Sequence, residues 1–306
     1  MNVNARSYSL HQVDSFTSTK FKGNPTATIV NAQGLSDDEM KNIANEMNLS
    51  ETGFVLPSST SKAHFRLRYF TPTGDEIKFC GHATIGALCA LAKDKLFDMD
   101  KPGIYQFQVE TNAGILPMEV NLKNEQDPTF SFDNPRIDLR PSSYKLGDVI
   151  KALGISPDLV DFTKPLMHEH TNNYLFFAIP SLEALSKIQV DEKGAKAFSD
   201  KTGVVIFCAL TPYAFDPSNH VHARGFAPAV GVPEDPFTGS MQGGLAAYLL
   251  HNKMIDPNIK VIGSEQGNFL KRPRPGQVTI ELTHGTELKA RLHAKAVHVF
   301  KTTLEL

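Results

Sequence analysis

Hydrophobic positions along the chain alternate or run apolar in short bursts, interrupted by stretches of helical period, and the order of these elements runs twice. Tyr8 to Phe16 alternates as a strand, a polar loop ends at Gly23-Asn24-Pro25, and Thr26 to Val30 reads as a second strand, so a hairpin is predicted. Ser36-Asp37-Asp38-Glu39 is a capping box with acids where the helix dipole favours them, and Met40, Ile43, Ala44 and Met47 form one apolar helical face. Glu51 falls in the polar stretch between that helix and the strand Phe54-Val55-Leu56. Strands at Ala63 to Phe70 and Ile104 to Thr111 flank a helix predicted from near Gly81 to near Phe97, with Ile85, Leu88, Cys89, Ala92 and Leu96 on one face.

The pattern restarts after the polar stretch Lys123 to Pro128, which puts a domain boundary there: residues 1–125 and 130–291, with a C-terminal strand over 292–306. The second half has strand text at Tyr174 to Ile179, Val204 to Leu210 and Val221 to Phe226, a helix from about Gly239 to Lys253, then strands at Gln277 to Leu282 and Ala296 to Phe300.

The two halves share more than rhythm. Gly81-His82-Ala83-Thr84-Ile85-Gly86 and Gly239-Ser240-Met241-Gln242-Gly243-Gly244 both open on Gly and repeat it five positions on, at an offset of 158. Arg68-Tyr69-Phe70-Thr71-Pro72 matches Arg224-Gly225-Phe226-Ala227-Pro228 at 156, Glu51-Thr52-Gly53 matches Lys201-Thr202-Gly203 at 150, and Asn24 matches Asn172 at 148. Four matches in order predict two related α+β halves, each a mixed sheet around a buried helix. The βαβα rhythm and the strand-following GxGxxG of a doubly wound nucleotide-binding fold are both missing.

Composition narrows the class without naming it. Across 306 residues, 31 basic against 33 acidic side chains leave no excess to neutralise phosphates, which argues against nucleic acid as a partner. Met1 to Ser7 lacks the charged and apolar regions of a leader, and no apolar run is long enough to span a bilayer, so a cytoplasmic protein with no membrane partner is expected. Cys80, Cys89 and Cys208 are too few and too irregular for a disulfide framework or a CxxC metal site.

Candidate chemistry gathers at the two glycine junctions. Cys80-Gly81-His82 and Thr238-Gly239-Ser240 each put a glycine at a helix N-terminus, where backbone N–H groups and the dipole attract anions. Glycine could instead serve only tight helix-to-sheet packing. Glu51 has Lys201 as its repeat partner and therefore no carboxylate twin. His82 is read either as a structural imidazole or as a hydrogen-bonding or proton-handling group; Asp235 as a turn former before Pro236 or a site acid; Ser240 as an N-cap or a ligand group. The spacings His168/His170 with Glu169, and His220/His222, resemble metal ligands on a strand, but packed or solvated histidines are the more common occurrence and no metal is assigned.

Gly23-Asn24-Pro25, Glu51-Thr52-Gly53-Phe54, Phe70-Thr71-Pro72, Phe79-Cys80-Gly81-His82-Ala83-Thr84, Glu234-Asp235-Pro236-Phe237-Thr238-Gly239-Ser240, Glu265-Gln266-Gly267 and Arg272-Pro273 together resemble the successive motifs of the phenazine-biosynthesis isomerase family, over nearly the whole chain. The resemblance implies the diaminopimelate epimerase fold: two pseudo-symmetric α+β domains, each a sheet wrapped round a central helix, with the active site in the cleft between them and the last strand returning to the first domain. It also implies catalytic Glu51, His82 and Asp235, with Asn24, Cys80, Gly81, Gly239 and Ser240 binding substrate. The related epimerases use two facing cysteines. Here Thr238 is the repeat partner of Cys80, which disfavours a two-thiol racemase, because inversion at carbon needs an acid and a base on opposite faces.

The leading expectation is an isomerase with no cofactor, acting on a small acidic substrate by proton transfer through Glu51; a homodimer is a further expectation. The alternatives are a non-catalytic small-molecule-binding or protein-interaction member of the fold, and one-thiol chemistry at Cys80.

Overall fold

The computed structural model describes residues 6–124 and 126–306. The leader reading at Met1 to Ala5 and the boundary residue Glu125 lie outside them. The chain divides into two units, Met1–Asp133 with His293–Leu306, and Asn134–Leu292.

The first unit contains β1 (Ser7–Ser15), β2 (Asn24–Ile29), α1 (Asp37–Met47), β3 (Thr52–Leu56), β4 (Phe65–Phe70), the short β5 (Glu76–Ile77), α2 (Gly81–Lys93), β6 (Ile104–Thr111), β7 (Gly114–Asn121) and β8 (Thr129–Asp133). β1 and β2 form the expected antiparallel pair. The Ser36 capping box is present, and α1 buries Met40, Ile43 and Ala44 against Phe54 and Phe70. The unit runs through Asp133 because β8 adds to β7 in antiparallel register, from Asn121 opposite Thr129 to Met118 opposite Phe132. The first segment of the unit ends a few residues beyond the polar stretch.

α2 is buried from Gly81 through Leu91, so its one-face reading understates it. A helix that is small and apolar all round belongs in the middle of a unit. It ends at Lys93, four residues before the expected Phe97, because Lys95, Phe97 and Asp98 take left-handed backbone conformations that a right-handed helix cannot absorb. Gly86 explains the second glycine of the repeat: a Cβ there would stand 2.1 Å from Thr26 Cγ2 of β2. Its counterpart Gly244 would meet the Phe176 ring at 2.7 Å. Close helix-to-sheet approach is therefore the task of these two glycines.

The second unit contains β9 (Leu139–Pro141), α3 (Leu146–Ala152), β10 (Met167–Glu169), β11 (Tyr174–Ala178), α4 (Leu182–Lys187), α5 (Glu192–Thr202), β12 (Ile206–Thr211), β13 (Val221–Ala227), β14 (Val232–Asp235), α6 (Gln242–His251), β15 (Val261–Gln266), β16 (Gly276–Thr283) and, up to Leu292, most of β17 (Lys289–Ala294). The last strand, β18 (Ala296–Glu305), pairs antiparallel with β1 in the first unit. Gly239–Met241 forms a tight single turn before α6, so the helix proper starts three residues later than expected.

Strand pairing repeats step for step. β2 runs parallel to β3 and antiparallel to β1; β11 runs parallel to β12 and antiparallel to β10. β4 is antiparallel to β3 and β5 and parallel to β6; β13 is antiparallel to β12 and β14 and parallel to β15. The side chains repeat with it. Arg68 on β4 binds Glu76 on β5 through two nitrogens at 2.7 Å each, and Arg224 on β13 binds Glu234 on β14 at 2.7 and 2.8 Å. Glu110 on β6 accepts from Ser58 and Ser59 in the β3–β4 loop, as Glu265 on β15 accepts from Phe215, Asp216 and Asn219 in the β12–β13 loop.

This register corrects one repeat pairing. Arg68 lies opposite Phe54 and Arg224 opposite Ala209, so β3 corresponds to β12 at an offset of 155 and Glu51 corresponds to Ile206. Lys201 sits instead in the last turn of α5, ahead of the Gly203 cap. Glu51 remains without a carboxylate twin. The Asn24–Asn172 pairing holds, since Ala27 faces Thr52 as Leu175 faces Phe207, again 148 apart.

Candidate active site

In the first unit, Glu51 is the residue before β3, and its carbonyl accepts a hydrogen bond from Thr26 Oγ1 on β2 at 3.0 Å. Asn24 opens β2 after Gly23, whose left-handed backbone and near-contact with the Ser15 carbonyl leave no room for a side chain. Cys80 caps α2 without a side-chain cap bond, and Gly81 and His82 are the first helical residues. The loop is held from behind: Tyr69 OH meets Thr84 Oγ1 at 2.7 Å, Thr84 Oγ1 donates to the Cys80 carbonyl at 2.7 Å, and Ser15 Oγ donates to the His82 carbonyl.

These elements bring Glu51, Cys80, His82 and Asn24 together. His82 Nε2 lies 3.1 Å from Glu51 Oε2, while Nδ1 lies 3.3 Å from both Asn24 Nδ2 and Cys80 Sγ. An amide nitrogen only donates, so Nδ1 accepts and the ring proton of a neutral His82 sits on Nε2, towards Glu51. Burial pushes the His82 imidazole down to about 3, and the nearby carboxylate does not reverse it. His82 therefore faces Glu51 as a neutral donor.

The donor atoms of Glu51, Cys80 and His82 lie within 4.8 Å of one another, close enough to consider a metal ion. Cys80 Sγ is nearer Nδ1 (3.3 Å) than Nε2 (3.9 Å), however, while Glu51 addresses Nε2. The ring stands between the two groups, and no metal is assigned to them. Burial pushes the Cys89 thiol up to about 12 and the Cys208 thiol up as well, so both are inert packing groups.

The His82 shift gives a testable pH dependence. Its folded value lies below the unfolded 6.5, so the unfolded chain binds the extra proton between about 6.5 and 3. The corresponding stability is present above pH 6.5 and is lost as pH falls, at about 1.4 kcal/mol per pH unit. Between pH 6.5 and 5 this amounts to about 2 kcal/mol. Urea unfolding of His82→Gln should show that much less acid destabilisation than the parent chain; equal slopes would refute the neutral buried imidazole.

In the second unit, Asp235 ends β14 and Thr238 Oγ1 donates to its Oδ2 at 2.7 Å. Ser240 lies inside the Gly239–Met241 turn, so it is not an N-cap; its Oγ meets Tyr174 OH at 3.0 Å. Asn134 Nδ2 approaches the carbonyls of Gly239 and Ser240 at 3.4 and 3.3 Å.

The histidine pairs have packing partners: His168 meets Asn173 at 2.5 Å, His220 accepts from Gly263 N, and His222 Nδ1 lies 3.2 Å from Glu265. Burial opposes the charge on Glu265, but the His222, Asn219 and loop N–H contacts win and hold its carboxyl down to about 2. Missed in the sequence were Gln266, Tyr69 with Thr84, and the two Arg–Glu pairs; Glu76 and Glu234 stand 158 apart, the same offset as Gly81 and Gly239, and that coincidence could have revealed them.

A carboxylate, an imidazole and a thiol thus meet at a helix head on a doubled α+β topology. The chain is a member of the phenazine biosynthesis-like protein family, whose family model matches residues 13–302. It is 34% identical to an uncharacterized isomerase of Clostridium acetobutylicum, over 98% of this chain and 99% of that one. It is also 34% identical to a trans-2,3-dihydro-3-hydroxyanthranilate isomerase of Pseudomonas chlororaphis, over 80% of each. The crystal structure of a Bacillus anthracis phenazine biosynthesis protein matches with TM-score 0.85 at 25% identity, covering 98% of this chain and 99% of that one. An Agrobacterium vitis hydroxyproline epimerase shares the fold at TM-score 0.64 and 12% identity, over 98% and 92%. The chain is thus an isomerase of this family, which disfavours the non-catalytic alternative. Among the described residues no helix is long and apolar enough to cross a membrane.

Proposed function

We propose that this isomerase works without a cofactor, moving a proton on a small carboxylic acid with Glu51 as the acid/base group. The observation that carries the reading is the Glu51 carboxylate, 13% exposed and 3.1 Å from a neutral His82. Glu51 takes a proton from a carbon activated by an adjacent unsaturated or carboxyl system, leaving a delocalised anion, and returns the proton to a second carbon on the same face. One base suffices for such a shift. The N-terminus of the buried α2 favours the negative charge that develops. Asn24, Cys80 and Gly81 in the first unit and Gly239 and Ser240 in the second are the proposed substrate-binding groups, with Asp235 as a second site acid. A homodimer in the cytoplasm belongs to the same proposal.

The first acid to test is trans-2,3-dihydro-3-hydroxyanthranilate, the compound for which the Pseudomonas relative is named, followed by other small unsaturated carboxylic acids. In deuterated water, turnover should place solvent deuterium on the carbon that receives the proton, read by NMR. If no acid in the panel is isomerised or exchanged, the proton-transfer reading fails.

A further inference from the structure

The Glu265-Gln266-Gly267 motif has no place in the proton chemistry, yet it touches the loop that carries Asp235 and Ser240. Gln266 is completely buried at the end of β15. Its Oε1 accepts from Thr238 N at 3.1 Å, and its Nε2 donates to the Asp235 carbonyl at 2.8 Å and approaches Thr238 Oγ1 at 3.3 Å. Thr238 has a single hydroxyl proton. With an N–H aimed at its oxygen, that proton is directed to Asp235 Oδ2, 2.7 Å away. One side-chain amide thus fixes both ends of the Asp235–Thr238 turn and the direction of the Thr238 hydroxyl.

Gly267 adds to the fit, since its backbone is left-handed and a Cβ there would come within 2.7 Å of the Pro236 carbonyl. The equivalent position in the first unit does something else. Arg66 faces Glu110 as His222 faces Glu265, so Thr111 corresponds to Gln266. Among the described residues the Thr111 hydroxyl bonds its own hairpin, Gly114 O and Ala113 N, and the α2 loop is held by Tyr69 and Thr84 instead. Among the described residues, the Gln266 clamp is therefore a feature of the second unit with no counterpart at Thr111.

We propose that Gln266 is a positioning residue, setting the Asp235–Ser240 loop for substrate through Thr238. This rests on the substrate-binding role proposed for that loop. The test compares Gln266→Met, which removes all three contacts, with Gln266→Glu, which keeps an acceptor for Thr238 N but loses both donors. Amide exchange by NMR should show the Thr238 N–H about tenfold less protected in the Met variant and still protected in the Glu variant. Both should raise KM for the acid that the parent chain turns over by about tenfold while kcat changes far less, the sign of lost uniform binding.

Gln266→Glu separates positioning from a purely structural role, because it would weaken binding with the turn still closed. An unchanged Thr238 exchange rate in Gln266→Met overturns the clamp, and an unchanged KM in both variants overturns its role in binding. The exchange readout needs no substrate, so failure of the clamp is distinguishable from failure of the Glu51 chemistry, which leaves Thr238 exchange untouched.

Discussion

Glu51→Gln should still bind the substrate acid while turnover falls by about 10²–10⁴-fold, the usual loss when a general acid/base is removed. Glutamine keeps the volume of the side chain and an oxygen that can face His82 Nε2, so the cluster around Asn24, Cys80 and His82 has no reason to rearrange. What it loses is the capacity to hold a transferred proton. Cys80→Ala should cost far less, because the thiol lies nearer Nδ1 than the Nε2 that Glu51 faces and holds no proton in the proposed transfer. Single-turnover kinetics with both variants, alongside binding by calorimetry, separates the two. A Gln variant at the parental rate would end the role of Glu51, and a larger loss in the Ala variant would transfer the chemistry to the thiol.

The repeated helix heads were legible because glycine and small-residue spacing is a local signal. Gly86 and Gly244 are forced by atoms of β2 and β11 a few ångströms away, and both stand five positions after the glycine that opens the motif. The Ser36 capping box and the Met40, Ile43 and Ala44 face are local in the same sense. Strand register was not. Pairing Glu51 with Lys201 followed a Thr-Gly dipeptide that serves as the start of β3 in one half and as the C-terminal cap of α5 in the other. Similar letters met different backbone demands, and only the sheet shows that Ile206 is the equivalent position.

The end of α2 was misread for a related reason: Leu96 keeps the apolar period, but the left-handed Lys95 and Phe97 break the helix, and no proline or glycine announces it. The cluster of Glu51, His82 and Asn24 joins residues 58 positions apart through β2 and α2, and was reached through family motifs rather than through any periodicity. Gln266 lay in a recognised motif without a role, since what a buried amide does depends on the loop that folds onto it.

Arg224→Met should destabilise the second unit by about 3–5 kcal/mol, the usual cost of removing one partner from a buried ion pair. The Arg224 side chain is 7% exposed and that of Glu234 14%. Beyond its two bonds to Glu234, Arg224 donates through Nη1 to the carbonyls of Leu185 and Ile188 at 2.9 and 2.8 Å, closing the C-terminus of α4. Its guanidinium also lies 5.1 Å from the centroid of the Phe226 ring. Methionine would take the guanidinium donors away from the Glu234 carboxylate and the Ile188 carbonyl, leaving the Leu185 carbonyl to the Ile188 N–H.

The twin substitution Arg68→Met removes the same pair of bonds to Glu76, yet Arg68 spends its third nitrogen on Asp37, a carboxylate 66% exposed at the start of α1. Water can take over there, and about 1 kcal/mol is expected. Chemical unfolding of the two variants measures the difference directly. Equal losses would mean that the shared Arg–Glu geometry sets the cost; a much larger loss at Arg224 would show that the cost follows from what each arginine leaves behind in the dry interior.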